Sequence, residues 1–123
     1  MNFNLDNKSG VPFYRQIIQQ IEYNIAIGNI KPGFKLPTVR SLAITLKINP
    51  NTVAKAYNEL EIKGIVTTQV GSGTFIADKK IELNEIEFKK KIDEFIGEVL
   101  FKSKNLNLNK NELCEMIINF KED

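Results

Sequence analysis

The sequence contains no histidine and no tryptophan, and a single cysteine among its 123 residues. Without histidine, the commonest general base and the commonest metal ligand are both missing. One cysteine closes no internal disulfide and builds no thiolate zinc site. Carboxylates are present, but Glu82, Glu85, Glu87, Asp93, Glu94 and Glu98 alternate with lysines as a solvated helical face does, and they are not paired for acid–base work. The composition therefore argues against an enzyme, with no catalytic residue, metal ligand or cofactor site to name. Long apolar runs are lacking too: none approaches the roughly 18 residues of a membrane span. The opening MNFNLDNKSG has no apolar centre of the kind a signal peptide needs, so a cytoplasmic protein is expected. Cys114 stands among Leu113, Met116, Ile117 and Ile118, where it is expected to be a small buried hydrophobe.

What is present is a modest core and an uneven charge. Hydrophobic residues make up 42% of the chain, enough for one domain or a small domain with an appendage. The net charge of +2 is too small to announce a nucleic-acid partner by itself. Its distribution says more: residues 1–78 hold eight basic and five acidic side chains, net +3, whereas residues 79–123 hold nine and ten, net −1. The front part is the basic part.

Periodicity divides the front part into helices. Tyr14, Ile17, Ile18, Ile21 and Ile25 form one helical stripe, stopped by Gly28 and the Lys31-Pro32-Gly33 turn. After a short linker, Phe34 to Leu36, a second and shorter stripe runs through Val39, Leu42, Ala43 and Leu46. The turn Lys47-Ile48-Asn49 leads to a third helix, with Asn49 suited to the N-cap and Pro50 to the first helical position. Its buried face is Val53, Ala56, Tyr57 and Leu60, and Gly64 suits a left-handed cap at its end. The start of this helix favours an acid, yet none stands between Ile48 and Asn58. The period then changes: Ile65 to Gln69 and Thr74 to Ala77 read as two strands joined by a turn at Gly71, Ser72 and Gly73.

Three helices, the second and third joined by a tight turn, followed by a hairpin, make a winged helix-turn-helix. The tail adds two helices, one with Ile92, Phe95, Ile96, Val99 and Leu100 on a stripe, the other with Leu113, Met116, Ile117 and Phe120. The expected fold is mainly α with a β-hairpin: a winged helix-turn-helix over residues 1–78 and a two-helix tail over residues 79–123. Two helices cannot close a core alone, so the tail must pack on the winged domain or on a second subunit.

Residues 11–78 resemble the winged-helix domain of the GntR family of bacterial transcription regulators. The segments KPGFKLPTVRSLA, NTVAKAYNELEIKG and GSGTFI carry the likeness, and VPFYRQI, NPNTVAKAY and the short tail are most similar to the YtrA-like subgroup. The resemblance implies a sequence-specific regulator, dimeric through its tail, that represses a palindromic operator, and it points to a transport operon as the target. It implies double-stranded DNA and a homodimer as partners and no membrane, and it leaves any small-molecule effector unknown. It places the start of the third helix in the major groove, where an acid would face phosphates and where free helix-end amides would favour them. The DNA-binding residues so implied are Thr38, Arg40, Asn49, Asn51, Thr52, Lys55, Gly71, Ser72 and Gly73. Arg40 stands at the family's arginine position after the proline, and an asparagine amide at 49 or 51 matches adenine. Ile92, Phe95, Ile96, Val99 and Leu100 are implied as the dimer contact. The wing TTQVGSG carries no Arg or Lys, and Pro50 and Ala54 stand where some relatives have arginine. Two other readings stay open: a winged-helix protein-interaction module that binds no DNA, and a switch with a small molecule between the tail helices.

Overall fold

The apolar stripes become helices at the positions their spacing predicts. The computed structural model describes residues 1–122 and begins its regular structure with α1, Phe13–Ala26, α2, Val39–Leu46, and α3, Pro50–Ile62. Ile17 and Ile21 of α1 meet Leu42 of α2 and Val53 and Leu60 of α3 in one core, closed below by Val66 and Ile76 of the hairpin. Each such aliphatic side chain contributes about 1.5–3 kcal/mol when fully buried. Tyr57 belongs to this core: its ring is buried, and its hydroxyl donates to the Pro37 carbonyl at 2.7 Å. Burial pushes the Tyr57 pKa well above its usual value.

The turn between α2 and α3 closes tightly because Lys47 takes the left-handed conformation, with φ +57°, while the Ile48 amide bonds back to the Ala43 carbonyl at 3.1 Å. Gly64, at φ +74°, ends α3 as expected. The hairpin strands are β1, Val66–Gln69, and β2, Gly73–Ile76, with Val66 opposite Ile76 and Gln69 opposite Gly73. β1 begins one residue later than the sequence expectation and ends at Gln69 as expected, whereas β2 is shifted one residue toward the N-terminus. Ile65 and Ala77 fall just outside them, although the Ala77 amide still bonds the Ile65 carbonyl.

Phe34 to Leu36 is more than a linker. Lys35 forms an antiparallel bridge with Phe75, the Leu36 amide donates to the Thr74 carbonyl at 2.9 Å, and the Ile76 amide donates to the Phe34 carbonyl at 2.9 Å. An isolated two-stranded hairpin is marginal in water. Here β2 is bonded on both edges, and the wing is tied to the start of α2.

The tail consists of α4, Leu83–Asn105, and α5, Lys110–Asn119. α4 lies against α1, with Ile86 buried and the backbone of Gly97 against Gly10. Asp93 is not on a solvated face as expected. It accepts from Arg15 Nη1 at 2.9 Å and from Gln19 Nε2 at 2.7 Å, both on α1. α5 starts with a capping box, Asn109 Oδ1 accepting from the Glu112 amide and Glu112 Oε1 from the Asn109 amide. It nevertheless buries no residue. Cys114 is exposed, contrary to expectation, because α5 touches α4 only lightly and the apolar residues around it, Met116, Ile117 and Ile118, stay exposed.

Candidate nucleic-acid interface

Helix ends are where backbone amides go unpaired, and here two of the three helices of the winged head, α2 and α3, differ. At α2, the Thr38 hydroxyl accepts from the Ser41 amide at 3.1 Å, leaving its own proton free to donate. The amides of Val39 and Arg40 have no partner among the described residues. With the exposed guanidinium of Arg40, this end presents two amides, a hydroxyl and a fixed positive charge.

α3 presents no such set. Asn49 Oδ1 accepts from the Asn51 amide at 2.8 Å, the Thr52 amide bonds the Asn49 carbonyl at 3.0 Å, and Pro50 has no N–H. The expectation that free amides at this end would favour anions is therefore corrected, since the cap has used them. What α3 offers is side chains: exposed Asn51, the uncommitted amide nitrogen of Asn49, and the half-buried Thr52 hydroxyl. None of α1, α2 and α3 has an acid in its first turn, whereas α4 has Glu85 and α5 Glu112. The dipole at the start of α3 is left uncompensated.

At the wing, Gly71 at φ +80° and exposed Ser72 form the tip, with the Ser72 amide on the Gln69 carbonyl at 2.9 Å. Gly73 is half-buried at φ +131°, and a Cβ there would lie 2.7 Å from Lys35 Cε. The glycine lets the lysine side chain run along the base of the wing. The wing sequence has no cation of its own, but the fold supplies one from Lys35, a residue that the sequence reading missed. The signal was available: Phe34-Lys35-Leu36 alternates apolar, polar and apolar, the period of a strand.

Lys55 is placed differently from its companions. Its Nζ lies 4.0 Å from the centroid of the Tyr14 ring, held by the first turn of α1 in a cation–π contact. In the tail, Phe95 is 64% exposed, Ile92, Ile96 and Leu100 are exposed, and Val99 is half-buried, so one side of α4 remains apolar and uncovered. Among the described residues no cluster of His, Cys, Asp or Glu is placed to hold a metal ion. Among the described residues no helix is long and apolar enough to cross a membrane.

A tight helix-turn-helix whose third helix is followed by a hairpin, with polar and basic groups at the helix starts, defines a winged-helix DNA-binding protein. Residues 13–76 match the family described as bacterial regulatory proteins, gntR family. The chain belongs to that family, whose members are transcription regulators and not enzymes. It is 43% identical over 121 residues to the uncharacterized HTH-type transcriptional regulator YhcF of Bacillus subtilis, covering 96% of this chain and 98% of YhcF. It is 51% identical over 74 residues to the HTH-type transcriptional repressor YtrA of the same organism, covering 60% of this chain and 57% of YtrA. Among solved structures it is similar to a transcriptional antiterminator from Listeria monocytogenes EGD-e, with 31% identity, a TM-score of 0.62 and coverage of 100% and 92%. It is also similar to the AraR DNA-binding domain in complex with operator ORE1, with 30% identity, a TM-score of 0.52 and coverage of 63% of this chain and 94% of that domain. The YtrA-like likeness and the winged-helix fold both hold, and the chain is a GntR-family DNA-binding transcription regulator.

Proposed function

We propose that the protein is a repressor that binds a palindromic operator as a twofold dimer. The observation that carries this reading is the start of α2: free amides at Val39 and Arg40, the Arg40 guanidinium, and a direct tie to the wing through Leu36 and Thr74. Arg40, Thr38 and Lys35 engage phosphates there, and the backbone of Gly71, Ser72 and Gly73 approaches the sugar–phosphate chain. Asn51, with Asn49 and Thr52 beside it, reads base edges from the start of α3. Lys55 contributes less, its ammonium being held over Tyr14. Ile92, Phe95, Ile96, Val99 and Leu100 form the contact between copies, because an apolar stripe of this kind is costly to leave in water. A twofold axis through that contact sets two reading helices one DNA turn apart, about 34–36 Å, or a multiple of it. Control of a transport operon is the target that the subgroup likeness suggests.

The test is a footprint on the DNA upstream of the protein's own gene, with the unaltered chain and with Arg40→Ala. The expected result is a protected dyad for the unaltered chain and a loss of about 1–3 kcal/mol in affinity for the variant. Protection without dyad symmetry, or equal binding by Arg40→Ala, refutes the proposal.

A further inference from the structure

Asp93 and Gly97 lie one turn apart on the face of α4 that touches the head. Each follows a residue of the apolar stripe, Ile92 and Ile96, so the two faces adjoin, about 100° apart around the helix. The Asp93 carboxylate is gripped by two donors of α1, Arg15 and Gln19, at 2.9 and 2.7 Å. Arg15 is itself steadied by its Nε donating to the Tyr14 hydroxyl at 3.2 Å, and that bond, with Asp93, raises the guanidinium pKa.

At Gly97 the contact is backbone on backbone. A Cβ there would lie 2.7 Å from the Gly10 carbonyl carbon and 3.0 Å from the Val11 amide nitrogen, against 3.4–4 Å for ordinary contact. No side chain stands between the two segments to yield. From α1 the path continues through Ile17 and Ile21 to Val53 in α3, all completely buried. α4 is thus joined to the reading helix by close-packed parts that transmit a displacement instead of absorbing it.

We propose that Asp93 and Gly97 are the positioning residues that set which half-site spacing the dimer accepts. This rests on the dimeric reading above. The stripe fixes α4 against its counterpart, and Asp93 and Gly97 fix the head against α4, so together they define the separation and angle of the two reading helices. One base pair corresponds to about 3.4 Å along DNA and roughly 35° around it. A methyl group at position 97 must lift α4 off the N-terminal segment, and loss of the Asp93 grip lets the head swing about that point.

The experiment compares the full-length chain with Asp93→Ala and Gly97→Ala. Sedimentation gives the oligomeric state, and competition binding uses operators whose dyad is lengthened or shortened by one and two base pairs. The unaltered chain is expected to be a dimer that favours one spacing over its neighbours by roughly tenfold or more. Both variants are expected to stay dimeric and to bind a single half-site normally. Their spacing preference should fall by roughly fivefold or move by a base pair. Asp93→Ala removes only the hydrogen bonds and the ion pair with Arg15 at the edge of the joint, and alanine keeps the helix intact, so it decides the matter even where Gly97→Ala fails to fold. An unaltered chain that sediments as a monomer overturns the dimeric reading and this inference together. Dimeric variants with an unchanged spacing profile overturn this inference alone.

Discussion

Lys35→Gln separates a charge on the wing from a packing role. Glutamine keeps much of the length that runs beside Gly73, and the bridge to Phe75 is made by the backbone, so the wing should remain folded. Each proposed phosphate contact contributes a slope of about −0.9 to the dependence of log affinity on log salt. With Arg40 and Lys35 in each subunit, and a few further contacts from the start of α2, a dimer should show a slope of about −4 to −6. Removing two ammonium groups should make it shallower by about 2. From 50 to 200 mM salt, an unaltered chain with a slope near −5 would lose about 1,000-fold in affinity, and the variant about 60-fold. Fluorescence anisotropy with a labelled operator, repeated across that salt range, measures both slopes. A variant with weaker binding but an unchanged slope would show that Lys35 only packs the wing. An unaltered slope near −10 would mean that the principal cations lie off the proposed face.

Asn51→Ala should reduce discrimination among operator variants by about 1–3 kcal/mol while leaving non-specific binding nearly unchanged, which competition with altered operators measures. A large drop in melting temperature with intact preference would make Asn51 structural. Tyr57→Phe should cost about 1–2 kcal/mol by leaving the Pro37 carbonyl unpaired, and calorimetry would read this as a lower melting temperature. Because burial raises the Tyr57 pKa in the folded state, the stability it contributes is fully present below the unfolded value near 10 and is lost as pH rises above it. Urea midpoints that do not fall in that alkaline range would contradict the assignment. Val99→Glu should give a monomer with a folded head that has lost most of its affinity for a full palindrome but not for a half-site, as sedimentation and binding to both DNAs would show.

The helices were legible because each announces itself locally: an apolar stripe, a cap residue and a stop, as with Asn49, Pro50 and Gly64 at the two ends of α3. The hairpin was legible for the same reason, through its β-branched runs and glycines. The parts that escaped depend on partners far along the chain. Lys35 becomes a wing residue only through Phe75, and Asp93 leaves the solvated face only because Arg15 and Gln19 of α1 meet it. Cys114 escaped for the opposite reason: an apolar stripe in sequence says that a face needs covering, not that this chain covers it. The use of the α3 amides was hidden in the cap itself, since Asn49 both starts the helix and occupies the Asn51 amide. Of the proposed site, the residue types and their order could be read from sequence, whereas the division of labour between α2 and α3 required the bond network.

The acid-free starts of the three head helices have a consequence for the conditions under which the protein works. The chain has no histidine, and none of the residues proposed to face DNA is a carboxylate. Nothing on that face changes its charge as a cell acidifies or recovers, and the phosphates opposite it stay ionised throughout. Operator occupancy should therefore be indifferent to pH from about 5.5 to 8.5. Ionic strength and the number of copies of the protein are left as the physical variables to which this face responds.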